Sequence, residues 1–269
     1  MSYTGVIISK EKYMHTPAQS SVSALQSGFI SVAAIAAIVS LPVMVFAAQS
    51  LSYTFSEANG DYLYIDDVNQ TSLDLSGNFT VEAWIKPVSI DANQPMDIVS
   101  KHSENDYGYA FGVNGIGGLA VMYRDDAGNI SQFETIDPVM EAFEGQWVHV
   151  AVVVNQATPE ATFYVNGIAV ADTAIRAHAT SIHNNAVQFR IGSRVTDSFY
   201  IDGKVDDVRV WNVTRTPNQI VNGMNGVNKD ALGLVGYWKF NNATLRDATV
   251  NNNDLTASNS PYSADVPVF

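Results

Sequence analysis

The chain has 269 residues, with 27 acidic against 14 basic side chains and a formal net charge of -13. A nucleic-acid binder needs a cationic surface, so this balance argues against that class and favours cations as partners. With no cysteine, disulfides, thiolate metal sites and a cysteine nucleophile are excluded.

The first 48 residues read as an export segment. Phe29 to Ala48 carries no charge, and Lys10 and Lys12 precede it. Small and apolar residues at Val45-Phe46-Ala47 suit signal-peptidase cleavage near Ala47 or Ala48. An uncleaved membrane anchor is the alternative, and would be the chain's one membrane contact. Either way the lysines stay inside and the remainder is exported, to a secreted or cell-surface location.

From Leu51 to Phe269 short runs of four to eight residues alternate with Gly, Asn, Asp, Ser or Pro. Tyr62 to Ile65 is one run. Phe79 to Lys86 alternates, with Phe79, Val81, Ala83 and Ile85 on one side and Thr80, Glu82, Trp84 and Lys86 on the other. Asp97 to Lys101 and Tyr107 to Val113 predict a hairpin. Leu119 to Tyr123 and Ile130 to Phe133 flank Asp125-Asp126-Ala127-Gly128. In Gln146 to Gly167, Val148, Val150, Val152 and Val154 share one side of a strand, and Asn155 to Glu160 turns the chain back. Val187 to Ile191, Lys204 to Trp211 and Leu234 to Phe240 follow. A helix is predicted from Pro217 to Asn225, with Thr216 as its cap. The spacing predicts an all-β, antiparallel two-sheet sandwich forming one domain over residues 51–269.

Four segments in order carry a resemblance: FTVEAWIKP (Phe79 to Pro87), WVHVA with YVNG (Trp147 to Ala151, Tyr164 to Gly167), GKVDDVRVWNVTRTPNQI (Gly203 to Ile220), and GLVGYWKFNN (Gly233 to Asn242) with the RDATVNNNDLT that follows. The chain resembles the laminin-G-like, concanavalin A-like jelly rolls, and more distantly the pentraxins. The resemblance implies a jelly-roll sandwich. It also implies a carbohydrate, glycoconjugate or protein ligand, often with calcium.

Two candidate calcium sites follow, since calcium takes six to eight oxygen ligands. The pentraxin resemblance implies the first, at Asn105, Asp106 and Asp197; Arg194 and Val195 stand where that family offers Glu and Gln. Adjacency of the terminal strands suggests the second, at Asp61, Asp207 and Asp247. Turn residues satisfying their own backbone are the simpler account of both. One of Asp206 and Asp207 should face inward and need a partner such as Arg209, Arg190 or an ion. Tyr107, Tyr109, Phe199 and Tyr200 are the candidate ligand surface, since sugars stack on exposed rings.

Glycosidases of this fold place paired carboxylates as E-x-D-x-E on one strand, and no such run occurs. G-x-S-x-G and H-E-x-x-H are also absent. His149 reads as a packed strand residue, and His178 with His183 lacks a third zinc ligand. The sequence thus predicts a non-catalytic module for a glycan or glycoprotein, possible calcium included. An adhesive protein making protein contacts is the alternative, and a glycan-cleaving enzyme the least favoured.

Overall fold

A computed structural model describes residues 49–91, 93–259 and 261–268. The export segment expected over residues 1–48 lies outside them. Among the described residues no helix is long and apolar enough to cross a membrane.

The strands in chain order are β1 (Ser52–Phe55), β2 (Leu63–Ile65), β3 (Phe79–Pro87), β4 (Met96–Lys101), β5 (Tyr109–Val113), β6 (Leu119–Arg124), β7 (Ile130–Thr135) and β8 (Val148–Asn155). They continue with β9 (Glu160–Val165), β10 (Ile168–Val170), β11 (Asp172–Ala177), β12 (Phe189–Ile191), β13 (Gly203–Trp211), β14 (Leu234–Trp238), β15 (Thr256–Ala257) and β16 (Tyr262–Ser263). Helix α1 (Pro217–Gly223) lies between β13 and β14. The first sheet runs β10-β9-β8-β3-β13-β1-β16, with β14 also on β13; the second runs β11-β7-β6-β5-β4-β12-β2-β15. All pairings are antiparallel. The expected two-sheet sandwich is observed.

Period-two alternation explains the packing. Phe79, Val81, Ala83 and Ile85 of β3 stand in register with Val154, Val152, Val150 and Val148 of β8, and all are buried. Across the sandwich, Phe79 meets Tyr109 at 5.7 Å between ring centroids and Phe111 stacks on Phe163 at 6.4 Å. Each such side chain contributes roughly 1.5–3 kcal/mol on burial, so this core holds without disulfides. Terminal strands do lie side by side with early ones, β16 on β1 and β15 on β2.

The sequence reading leaves β1 and β11 unassigned, along with the short β10, β15 and β16. Ser52–Phe55 alternates polar and aromatic residues but over only four positions, and Asp172–Ala177 is largely exposed and bulged between Ala174 and Arg176. Helix α1 ends two residues earlier than expected. Its start is as expected: the Thr216 side chain accepts from the Gln219 amide and the Gln219 side chain from the Thr216 amide.

Candidate functional site

The two sheets present different outer faces. On the second sheet, register places Gly112 of β5 beside Asp97 of β4 and Ala120 of β6, which in turn lies beside Glu134 of β7. Ala110, Met122 and Gln132 form the adjacent row. These side chains turn away from the core, as the alternating burial of β6 and β7 requires. The result is a groove of about 260 Å³ floored by small residues.

Gly112 has a backbone reason. A Cβ there would stand 1.9 Å from the Met96 carbonyl oxygen, because β4 bulges between Asp97 and Val99. The bulge brings Asp97 to one wall of the groove. Its carboxylate takes two hydrogen bonds from Arg194, at 2.8 and 3.2 Å. Burial lifts the Asp97 pKa above the usual carboxylate range, against the pull of Arg194. The Arg194 guanidinium in turn lies 4.0 Å over the half-buried Phe199 ring.

The loop carrying Arg194 and Phe199 is pinned from behind. Arg190 donates to the Arg194 carbonyl at 3.0 Å and to Asp197 at 2.8 Å. The Asp97 amide donates to the Phe199 carbonyl at 2.9 Å. Asp197 and Phe199 both have positive φ, near 53° and 55°. Such a backbone persists only where its surroundings enforce it. On the opposite wall, Glu134 accepts from Gln132 at 2.7 Å and from Asn114 at 2.9 Å.

Beyond Met122 the same face ends in a polar cluster. His183 bridges Asp126 at 2.6 Å and Asp106 at 3.1 Å, tying together the tips of two hairpins. Hydrogen bonds to these carboxylates, Asp126 first, raise its pKa. Arg124 lies 4.7 Å over the Tyr107 ring. His102 is buried, and burial followed by the charges of Arg194 and Arg124 pushes its pKa down to about 3. It is therefore neutral at physiological pH.

The outer face of the first sheet is closed. Glu82 is fully buried and accepts from Arg215 at 2.6 Å and Trp211 at 2.8 Å. Arg209 lies 3.8 Å from it and 3.3 Å from Asp207, and His149 3.5 Å away. Helix α1 covers this cluster, seating Ile220 against Ala151 and Tyr164. Arg209 donates to the Gly223 carbonyl, and Trp84 to that of Met224, each at 2.8 Å. His149 is packed as expected. Period two placed these side chains outward, but nothing local marked them for burial beneath a later helix.

Several sequence-predicted site residues stand elsewhere than expected. Tyr109 is 1% exposed, donates to the Leu73 carbonyl and belongs to the core. Gly108, at φ 154°, precedes the start of β5, so Tyr107 and Tyr109 do not share a strand face. Tyr107 belongs to the polar cluster. Phe199 lines the groove, whereas Tyr200 packs beside Gly60.

The two calcium sites do not assemble. Asn105 is exposed in its turn; Asp106 is engaged by His183 and the Ala186 amide, and Asp197 by Arg190. In the second set, Asp247 accepts the Tyr237, Thr249 and Asn253 amides and the Thr249 hydroxyl, which folds its own loop. Asp207 pairs with Arg209 and Asp61 accepts the Ser56 amide, whereas Asp206, the more buried of the Asp206-Asp207 pair, accepts the Asp207 amide rather than meeting a cation. Most of these oxygens are engaged by the chain itself, although one Asp61 oxygen is buried without a hydrogen-bond partner among the described residues. Among the described residues no group of three or more His, Cys, Asp or Glu side chains could hold a metal.

The groove residues Gly112, Met122, Gln132 and Glu134 were absent from the sequence-based site. Alternation in LAVMYR and ISQFET marks the last three as outward, but outward positions usually face only solvent.

A laminin-G-type family model, described as the concanavalin A-like lectin/glucanases superfamily, matches residues 57–221, more than half of the chain. Comparison with curated proteins finds no match. Among solved structures, a candidate carbohydrate-binding protein from Bacteroides ovatus aligns with a TM-score of 0.59 at 22% identity, covering 81% of this chain and 60% of its own. The chain thus spans 60% of that protein's length. A heptameric SAP-like pentraxin from Limulus polyphemus aligns at 0.49 and 16% identity, covering 79% of this chain and 92% of its own. The Ruminococcus gnavus sialidase module CBM40 bound to α2,3-sialyllactose aligns at 0.45 and 12% identity, covering 66% and 93%.

Proposed function

We propose, from the premise that this chain belongs to the concanavalin A-like lectin/glucanases superfamily, that it is a non-catalytic carbohydrate-binding module. The groove on the second sheet is its binding site. The observation that carries this reading is the groove's construction. Ala110, Gly112 and Ala120 let a flat ring approach the sheet, Phe199 offers an aromatic edge, and carboxylate and amide groups converge from both sides. Sugars present apolar ring faces and hydroxyl rims, and this lining answers both. The likeness to the Bacteroides ovatus protein is one of fold and agrees with the reading. At about 260 Å³ the groove suits a short glycan terminus, falling below the ~300 Å³ of sites for larger ligands.

Geometry argues against hydrolysis there. Asp97 and Glu134 stand three strand spacings apart, roughly 14 Å along the sheet at about 4.8 Å each. Retaining and inverting glycosidases hold their carboxylates roughly 5–9.5 Å apart. Asp97 is also committed to Arg194. Calcium has no part in the proposal. Export through the N-terminal apolar segment does, and N-terminal sequencing of the mature protein tests it.

A glycan array run with and without chelator tests the binding function, alongside an Ala120→Trp variant that fills the groove from its solvent side. Binding that survives chelator, vanishes with Ala120→Trp and weakens about tenfold with Phe199→Ala is expected. No glycan binding, or binding indifferent to Ala120→Trp, overturns it.

A further inference from the structure

The charges lining the groove do not balance. Asp97, Glu134 and Arg194 are its ionisable residues, two acids and one base. Arg194 is consumed by Asp97 through two hydrogen bonds and capped by the Phe199 ring. Glu134 has no such partner: among the described residues no Lys, Arg or His lies within ion-pair distance of it. Its two hydrogen bonds come from the neutral amides of Gln132 and Asn114, one on each oxygen. These fix the carboxylate in place and leave its charge uncompensated. Each carboxylate oxygen still has an acceptor direction to offer.

The amides sharpen the point. Gln132 and Asn114 spend side-chain donors on Glu134, and the Asn114 carbonyl accepts from the Gly118 amide at 2.8 Å. The Gln132 carbonyl oxygen stays as a further acceptor. The nearby cations are engaged: Arg190 with Asp197, and Arg124 stacked on Tyr107. Arg176 pairs in register with Gln132 from the edge strand β11, is exposed, and does not line the groove. The wall formed by Glu134 and Gln132 therefore presents a fixed negative charge and acceptors, and the exposed Arg176 beside it stands outside the groove lining.

We infer that the groove selects glycans bearing a free amine, such as unacetylated hexosamine residues, and turns away carboxylated sugars, with Glu134 receiving the ammonium group. This rests on the carbohydrate-binding reading above and adds the ligand's charge to it. An ammonium supplies the donors and the charge that Glu134 lacks, and a hydrogen bond between charged groups is worth more than a neutral one. A sugar carboxylate would meet Glu134 without a cation in the groove lining to offset it, because Asp97 already holds Arg194.

Calorimetry on the full protein with three probes decides the matter: a glucosamine trisaccharide, its N-acetylated counterpart and a galacturonic acid trisaccharide. The amine is expected to bind about tenfold or more tightly than its acetylated form, and the uronate not to bind. Glu134→Gln should abolish the preference. Glu104→Gln, which removes one charge from an exposed turn, should preserve it and so exclude a bulk effect of the net charge. Equal affinity for the first two probes, with binding blocked by Ala120→Trp, overturns the charge inference while leaving the carbohydrate reading intact. A preference that survives Glu134→Gln, or uronate binding, overturns it too. Failure of all probes and of the array overturns both readings together.

Discussion

Replacing Glu82 by Gln tests whether the first sheet's outer face is scaffold. The carboxylate lies among Arg215, Arg209 and His149 with no solvent exposure. Glutamine keeps an acceptor for the Trp211 indole, so the loss is chiefly one of charge. Arg209 would retain Asp207 at 3.3 Å, but Arg215 would lose its partner at 2.6 Å. Removing one member of a buried pair costs about 3–5 kcal/mol. The low end applies, because Arg215 reaches the rim and Asp207 remains. For a domain of this size that is a fall in melting temperature of about 6–12 °C. Burial raises the Glu82 pKa, but His149, Arg209 and Arg215 outweigh it and the net shift is downward. The group's contribution is thus present above the unfolded carboxylate pKa and lost as pH falls through the folded value. Urea unfolding at neutral and acid pH should show the variant's deficit shrinking in acid. Glycan binding below the melting transition should be unchanged. A deficit under about 1 kcal/mol would refute the reasoning, and so would loss of binding by a folded variant.

Asp206→Asn should stabilise the protein at neutral pH. Burial first, then Asp207, pushes the Asp206 pKa up to about 8. The folded state therefore binds an extra proton between the unfolded carboxylate pKa and about pH 8, and wild-type stability declines across that window. Asparagine preserves the acceptor for the Asp207 amide at 2.7 Å; urea titrations across the window should show the decline flattened, and an unaltered slope counts against it. His183→Ala should cost under about 1 kcal/mol, since Asp126 is 81% exposed and its contact well screened. The raised His183 pKa makes the bridge's contribution complete below the ordinary imidazole value and lost as pH rises through the folded one. The melting-temperature difference between wild type and variant should therefore narrow on going from about pH 5 to about pH 8.5; a widening would contradict the bridge.

The strands were legible because apolar residues repeat every two positions. FTVEAWIK and WVHVAVVV each sort into a core-facing side and an outer side, and the structure keeps that sorting even though the helix-covered outer side is almost as buried. The loops carried no such period. Asn105-Asp106 and Asp197 looked like shared ligands, but each meets its own partner, His183 for Asp106 and Arg190 for Asp197. Alternation also failed at Gly108, which separates Tyr107 from Tyr109. Asp97, Gly112 and Glu134 meet through register and a bulge, properties of paired strands that no single segment announces. Arg194 was legible only as a departure from the pentraxin pattern. The structure gives that departure a use, since Arg194 joins Asp97 and Phe199 on the wall of the groove.

Both sheets carry charged side chains on their outer faces, yet among the described residues only one face is open. On the first, a seven-residue helix is held by a capping box, by Ile220, and by carbonyl contacts to Arg209 and Trp84. Removing Arg209 and Arg215 from water is tolerable because Glu82 and Asp207 accompany them. A ligand there would have to displace the helix and expose those charges. On the second sheet no described element covers Met122, Gln132 or Glu134, which remain partly accessible, and the carboxylate among them has no ion-pair partner among the described residues. This contrast supports the proposed ligand face on the second sheet. In that proposal the Arg194–Phe199 loop and the outward residues of β7 set its specificity. The Gln146 to Gly167 hairpin packs the first sheet and supports them from the far side of the core.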